Sequence, residues 1–295
     1  DLAMGLTPLI SAEWNWRVQL LIPAILSLIA TALAWRYFPE SPRWLESRGR
    51  YQEAEKVMRS IEEGVIRQTG KPLPPVVIAD DGKAPQAVPY SALLTGVLLK
   101  RVILGSCVLI AMNVVQYTLI NWLPTIFMTQ GINLKDSIVL NTMSMFGAPF
   151  GIFIAMLVMD KIPRKTMGVG LLILIAVLGY IYSLQTSMLL ITLIGFFLIT
   201  FVYMYVCYAS AVYVPEIWPT EAKLRGSGLA NAVGRISGIA APYAVAVLLS
   251  SYGVTGVFIL LGAVSIIVAI AIATIGIETK GVSVESLSID AVANK

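Results

Sequence analysis

From Thr166 to Pro215 the chain carries no charged residue. A helix needs about 20 apolar residues to cross a bilayer, and this run holds two such helices. Four further charge-free runs, 18–35, 102–134, 137–159 and 236–277, repeat the pattern. With 57% apolar and 13% charged residues and a mean hydropathy of +0.81, the chain reads as an integral membrane protein. The two longest runs divide at "LQTSM" (184–188) and "SSYG" (250–253), which predicts spans at roughly 17–38, 102–128, 137–159, 167–183, 188–214, 226–249 and 254–275. The expected fold is all-α, a polytopic transmembrane helix bundle. "DLAMGLTPLI" (1–10) reads as the end of another span; with no Met at position 1 and no signal-peptide pattern, the chain is expected to be the later part of a longer protein.

Basic residues alternate between connections. Residues 36–101 contain eleven Lys or Arg, 160–166 three and 216–225 two, whereas 129–136 has one and "LQTSM" and "SSYG" have none. By the positive-inside rule the rich connections and the C-terminal tail are expected to be cytoplasmic. The net charge of +4 therefore reflects topology rather than nucleic-acid binding. The chain has no His, which removes triads and histidine metal or proton sites. No "GxxxxGK" phosphate loop occurs, and no cofactor or metal is expected. Cys107 and Cys207 sit inside apolar runs without ligand-like neighbours and read as small core residues.

The domain reading follows. Residues 1–38 hold the end of one span and a complete one, 39–101 form a cytoplasmic linker, 102–275 a six-helix bundle and 276–295 a tail. In the linker, Tyr51, Ala54, Val57, Met58 and Ile61 share one helical face, which predicts an amphipathic helix against protein or membrane. "GKPLPPVVIADDGKAPQAVPY", with five prolines in 21 residues, follows as a flexible or extended stretch. "SALLTGVLLKR" reads as a short interfacial helix.

Three charged patches stand at helix ends: "PESPRWLESRGR" (39–50), "MDKIPRK" (159–165) and "PEIWPTEAKLRGSG" (215–228). Glu40 with Arg43, Asp160 with Arg164 and Lys165, and Glu216 with Arg225 can pair within or between patches. A single exposed pair is worth under about 1 kcal/mol, so it is the set of three that carries meaning. These residues resemble the major facilitator superfamily in its sugar-porter-like branch. "PESPRWL" followed by "GRYQEA" is similar to the signature after its sixth helix, "PEIWPTEAKLRGSG" to that between helices ten and eleven, and "ETKGVSVESL" (278–287) to its C-terminal tail. "DKIPRK" resembles the loop between helices eight and nine, with Pro163 where the family has glycine. The resemblance implies an incomplete major facilitator fold: the end of helix five, helix six and the C-terminal half of a twelve-helix transporter. It also implies that Glu40, Arg43, Asp160, Arg164, Lys165, Glu216 and Arg225 form a cytoplasmic gate.

Arg235 lies nine residues past Gly226, roughly 13 Å along its helix at 1.5 Å per residue. A cation at that depth binds an anion, pairs with an acid, or snorkels along its stem to the surface. Asn231 precedes it by one turn, and Gly234 and Gly238 supply small residues for close helix packing. Asn113, Gln116, Tyr117 and Asn121 are too many polar groups to face lipid, so most are expected to line a cavity or helix contact. Asn141 and a bend at "GAPFG" (147–151) belong to the next helix. Tyr205 and Tyr208 share a face, either as packing or as a platform for a flat substrate.

Hexose transporters carry paired glutamines where this chain has Ala111 and Met112, and a proline and tryptophan pattern near Ser210 and Ala211 that is absent here. "YTLINWLPTIF" and "RGSGLANAVGRISG" are closer to bacterial porters of aromatic acids, nicotinate-like compounds and other organic metabolites. The expected function is secondary-active, proton-coupled transport of a small polar metabolite by a bacterial inner-membrane protein acting as a monomer in the bilayer. A sugar porter or a uniporter of the same family is the alternative. A membrane-embedded enzyme, receptor or channel would leave the charge motifs unexplained. The charge-free runs hold no Asp or Glu, so a proton-carrying acid is expected in another part of the protein.

Overall fold

The computed structural model describes residues 12–73, 89–129, 131–219 and 222–281, except for the side chains at 12, 13, 15, 43, 44, 47 and 134. The segment "DLAMGLTPLI", most of the proline-rich stretch, Glu221 and the tail from 282 lie outside the described residues. Among those described, every regular element is helical. The chain divides into two compact units, 1–83 and 84–295.

In the first unit α1 (Ala12–Tyr37) is a continuous apolar helix, unburied across its most apolar window. The guanidinium of Arg17 lies over the rings of Trp14 and Trp16, 5.4 and 4.5 Å from their centres, an arrangement suited to a membrane interface. Two further helices, α2 (Pro42–Ser47) and α3 (Tyr51–Thr69), pack on each other and bury Leu45 and Ala54. α3 is the amphipathic helix expected from its spacing; Arg50 pairs with Glu53 at its start, and Gly70, at φ 64°, ends it in the left-handed conformation.

The second unit begins with the single turn α4 (Tyr90–Leu93), then α5 (Gly96–Thr129). "SALLTGVLLKR", expected as one short interfacial helix, is instead divided between the turn α4 and the start of α5. Beyond Gly96, at φ 54°, no residue breaks the helix, so Lys100 and Arg101 lie within α5 itself. There follow α6 (Leu134–Met145), α7 (Gly147–Val158), α8 (Arg164–Ser183) and α9 (Met188–Val206). A seven-residue π-helical segment (Cys207–Tyr213), the short α10 (Val214–Glu216) and α11 (Lys223–Ile275) complete it. α6 and α7 form one crossing with a break at Phe146, because Pro149 lacks the N–H that would bond the Met145 carbonyl. The same chemistry accounts for the π segment: Pro215 offers no donor to the carbonyl of Ala211, and the helix widens ahead of it. Among the described residues, six stretches are long and apolar enough to cross a membrane. α11 is two helices joined at Gly253 (φ 66°, ψ −162°), which brings the crossing segments to the expected seven.

Contacts between the crossing segments run through small residues. α5, the most buried, approaches the first arm of α11 where Gly105 faces Ala230 and where Gly234 and Gly238 leave room for Leu109, Asn113 and Tyr117. α8 meets the second arm of α11 at Gly179 and Phe258. α7 crosses α9 so closely that a Cβ on Gly151 would lie 2.2 Å from the Thr200 carbonyl oxygen, and one on Gly147 2.8 Å from Thr200 Oγ1. Backbone cannot yield as a side-chain tip can, so Gly151→Ala is expected to destabilise by about 1–3 kcal/mol. The control is Gly170→Ala, where a Cβ meets nothing within 4 Å and helix propensity favours alanine. Thermal unfolding of the two variants of the full-length protein in detergent should move in opposite directions.

Candidate functional site

At the charged helix ends Pro163 starts α8 at Arg164. The Arg164 side chain folds back beneath this helix end, only 8% exposed. Its Nε donates to Glu216 Oε2 at 3.0 Å and its Nη2 to Glu216 Oε1 at 3.0 Å, a bidentate pair between α8 and α10. Nη1 donates to the Met159 carbonyl, and Nη2 reaches Asp160 Oδ1 at 3.4 Å. The Asp160 side chain is 90% exposed, so that second contact is weak.

The residues after the last span strap this pair in place. Thr279 Oγ1 donates to Glu216 Oε2 at 2.6 Å, Ile277 N to the Tyr213 hydroxyl at 3.0 Å and Lys280 Nζ to the Lys161 carbonyl at 2.7 Å. Glu278 caps α8: its carboxylate accepts the backbone N–H of Arg164 at 2.8 Å and of Lys165 at 3.2 Å, two of the donors a helix start leaves unpaired. Burial pushes the Glu278 carboxyl up, but these two donors, that of Lys280 and the charge of Arg164 outweigh it and hold the group below its ordinary range. A lowered value means that the cap adds stability above the ordinary glutamate pKa of about 4.3 and loses it as pH falls through the lowered value. Glu278→Gln should therefore lower thermal stability at pH 7 and flatten its loss towards acid; parallel curves for the two proteins would contradict the cap.

Of the residues expected at these ends, the structure brings together Asp160, Arg164, Lys165 and Glu216. The partner of Glu216 is Arg164, from a different patch, while Arg225 places its guanidinium over the Tyr90 ring, 5.3 Å from its centre. Glu40 is exposed in the first unit, and the side chain of Arg43 lies outside the described residues. Sequence reasoning missed Glu278 and Thr279 as site residues. Their signal was an acid and a hydroxyl directly after a charge-free run, inside a motif read only as a tail.

"PEIWPTEAKLRGSG" is organised around Trp218. The indole is buried against Gly226, where a Cβ would lie 2.4 Å from the ring, with Gly105 on α5 nearby. The helix starts at Lys223, one turn before the expected Gly226.

Deeper in the bundle, Arg235 Nη1 donates to the Tyr117 hydroxyl at 2.5 Å, joining α11 to α5. Asn113 lies one turn below Tyr117, 2% exposed; its Nδ2 donates to the Leu109 carbonyl at 2.7 Å and its Oδ1 has no partner among the described residues. Gln116 is half-buried, while Asn121, Asn231 and Arg235 are exposed. Asn231 Nδ2 returns to the Ser227 carbonyl at 2.9 Å. On α6, Asn141 is half-buried, with an unpartnered Oδ1.

Tyr205 and Tyr208 are placed differently, wholly buried in a tyrosine ladder. Their rings are 5.7 Å apart, Tyr208 stacks on Tyr213 at 5.0 Å, and the Tyr205 hydroxyl donates to the Val108 carbonyl at 3.1 Å. The ladder runs from the α5–α9 contact to Tyr213, whose hydroxyl holds the strap.

Residues 3–291 match the family described as "Sugar (and other) transporter". The chain belongs to this family. Among its relatives, the inner membrane metabolite transport protein YdjE of Escherichia coli is 44% identical over 97% of this chain and 64% of YdjE. The niacin transporter NiaP of Acinetobacter baylyi is 26% identical over 94% of this chain and 62% of NiaP. A double-tryptophan mutant of XylE, the proton:xylose symporter of the major facilitator superfamily, superposes with a TM-score of 0.71 at 18% identity, covering 97% of this chain and 62% of XylE. That likeness shows the major facilitator fold. The family member described here spans less than two thirds of the length of these three proteins.

Proposed function

We propose that this chain is the gate- and cargo-bearing part of a secondary-active carrier of small carboxylated or aromatic metabolites, working by alternating access in a bacterial inner membrane. The observation that carries the reading is Arg235: a guanidinium inside an apolar crossing, hydrogen-bonded to Tyr117 and exposed beside Asn231. A guanidinium facing lipid is costly, and one facing a cavity is a ready partner for a carboxylate. The names of YdjE and NiaP, a metabolite transport protein and a niacin transporter, agree with such a cargo.

The Arg164–Glu216 pair is the proposed gate. It joins two crossings at their charged ends, and a contact made in one state and broken in the other biases alternating access by its differential energy. The charged ends are taken as cytoplasmic from the positive-inside rule. Protons are the proposed coupling ion, carried by an acid elsewhere in the protein. The reading is tested by equilibrium binding to the purified full-length protein, comparing aromatic monocarboxylates such as nicotinate and benzoate with their amides. Saturable binding of an acid that its amide cannot displace is expected; equal binding of every acid and its amide would contradict an anion site. Collapse of an imposed pH gradient should abolish concentrative uptake.

A further inference from the structure

Arg235 is held by a residue that is itself held. The Tyr117 hydroxyl accepts from Nη1 at 2.5 Å, the one bond made by this guanidinium among the described residues. A guanidinium carries five donors in a planar fork, so one bond of this kind fixes its direction and leaves donors for an anion. The Tyr117 ring lies against Gly238, one turn beyond Arg235 on the same arm of α11: a Cβ there would be 3.1 Å from Cδ2 and 3.2 Å from Cε2 of the ring. Below it, Gly234 plays the same part for Leu109 and Asn113, with a Cβ 2.8 Å from Leu109 Cβ and 3.0 Å from Asn113 Nδ2. The two glycines bring α11 close enough to α5 for the phenol to meet the guanidinium. A Cβ at 238 would make the ring give by a few tenths of an ångström, which shifts the hydroxyl against Nη1.

We propose that Tyr117, seated on Gly238, is a positioning residue for the Arg235 anion site, and that this Tyr–Gly pair sets the preference for a carboxylate over its neutral amide. The inference rests on the reading that Arg235 meets the anionic group of the cargo. A side chain as long as arginine loses much rotamer freedom when it binds. Tyr117 removes that freedom beforehand, so the cargo does not have to.

The positioning can be measured without any cargo. Phenylglyoxal reacts with guanidinium groups, and mass spectrometry of the full-length protein in proteoliposomes gives its rate at Arg235, with Arg225 as internal reference. Tyr117→Phe removes only the hydroxyl and is expected to speed modification of Arg235 about tenfold, the worth of one charge-assisted hydrogen bond. Gly238→Ala should act in the same direction, and the rate at Arg225 should stay as in the wild type. An unchanged Arg235 rate in Tyr117→Phe overturns the proposal. Uptake of benzoate and nicotinate against their amides separates the two layers. If Arg235→Gln erases the acid preference and Tyr117→Phe keeps it, the anion site stands and the positioning role falls. If Arg235→Gln itself keeps the preference, the anion site falls and the positioning role with it.

Discussion

Replacing Arg235 with Gln is expected to weaken carboxylate uptake about a hundredfold in apparent affinity while leaving neutral analogues near their wild-type values. The magnitude is that of a charge-assisted, two-point contact, roughly 2–3 kcal/mol. Two features support so large an effect. Arg235 is a cation inside a crossing segment, where facing lipid is costly and a cavity with an anionic partner is favoured. Its guanidinium is also oriented by Tyr117, so little is lost in ordering it when cargo binds. Arg235→Lys keeps the charge but loses the planar fork, and should fall between the two. Radiolabelled uptake at several concentrations separates apparent affinity from maximal rate; the loss should lie mainly in affinity.

The second large effect is expected at Glu216. Arg164 is 8% exposed and Glu216 34%, so solvent screening keeps the pair below the 3–5 kcal/mol of a fully buried one, at about 2 kcal/mol. Glu216→Lys leaves the Arg164 guanidinium facing a second cation and withdraws the acceptor of Thr279, so gate and strap fail together. A loss of about 2 kcal/mol shifts the state in which the pair forms roughly 30-fold against its alternative. Transport should slow, and a cysteine placed at exposed Asn231 should react faster with a thiol reagent applied from the cytoplasmic side. The swap Arg164→Glu with Glu216→Arg should recover part of both. Unchanged labelling in Glu216→Lys would remove the gate role, whatever the transport rate.

The crossing segments were legible because a bilayer imposes composition residue by residue: the charge-free runs mark each one, and Gly253 turns the chain where "SSYG" stands. Gly234 and Gly238 were legible for a similar reason, since small residues one turn apart have few uses in a membrane other than close packing. Partners distant in sequence were not legible. Chain proximity suggested Arg225 for Glu216, but Arg164 reaches it from 52 positions away, and no local spacing records that. Glu278 had the same difficulty, capping a helix that starts 114 residues earlier. Tyr205 and Tyr208 were placed on one face correctly, but a uniformly apolar helix does not declare which face meets protein; the Val108 carbonyl and the stacked Tyr213 put these rings in the interior. The π segment left only one trace, Pro215, because its surroundings continue the helical composition without change.

The central claim is that this chain forms the cargo-binding and gating part of a carrier for small carboxylates. Counterflow tests it most directly: proteoliposomes holding the full-length protein are loaded with an unlabelled monocarboxylate, diluted into a trace of the same labelled compound, and followed over time across a panel that includes nicotinate, benzoate and their amides. A transient overshoot is expected for at least one carboxylate, absent for its amide and lost in Arg235→Gln. No overshoot for any carboxylate, or an equal overshoot for acid and amide, would contradict the claim.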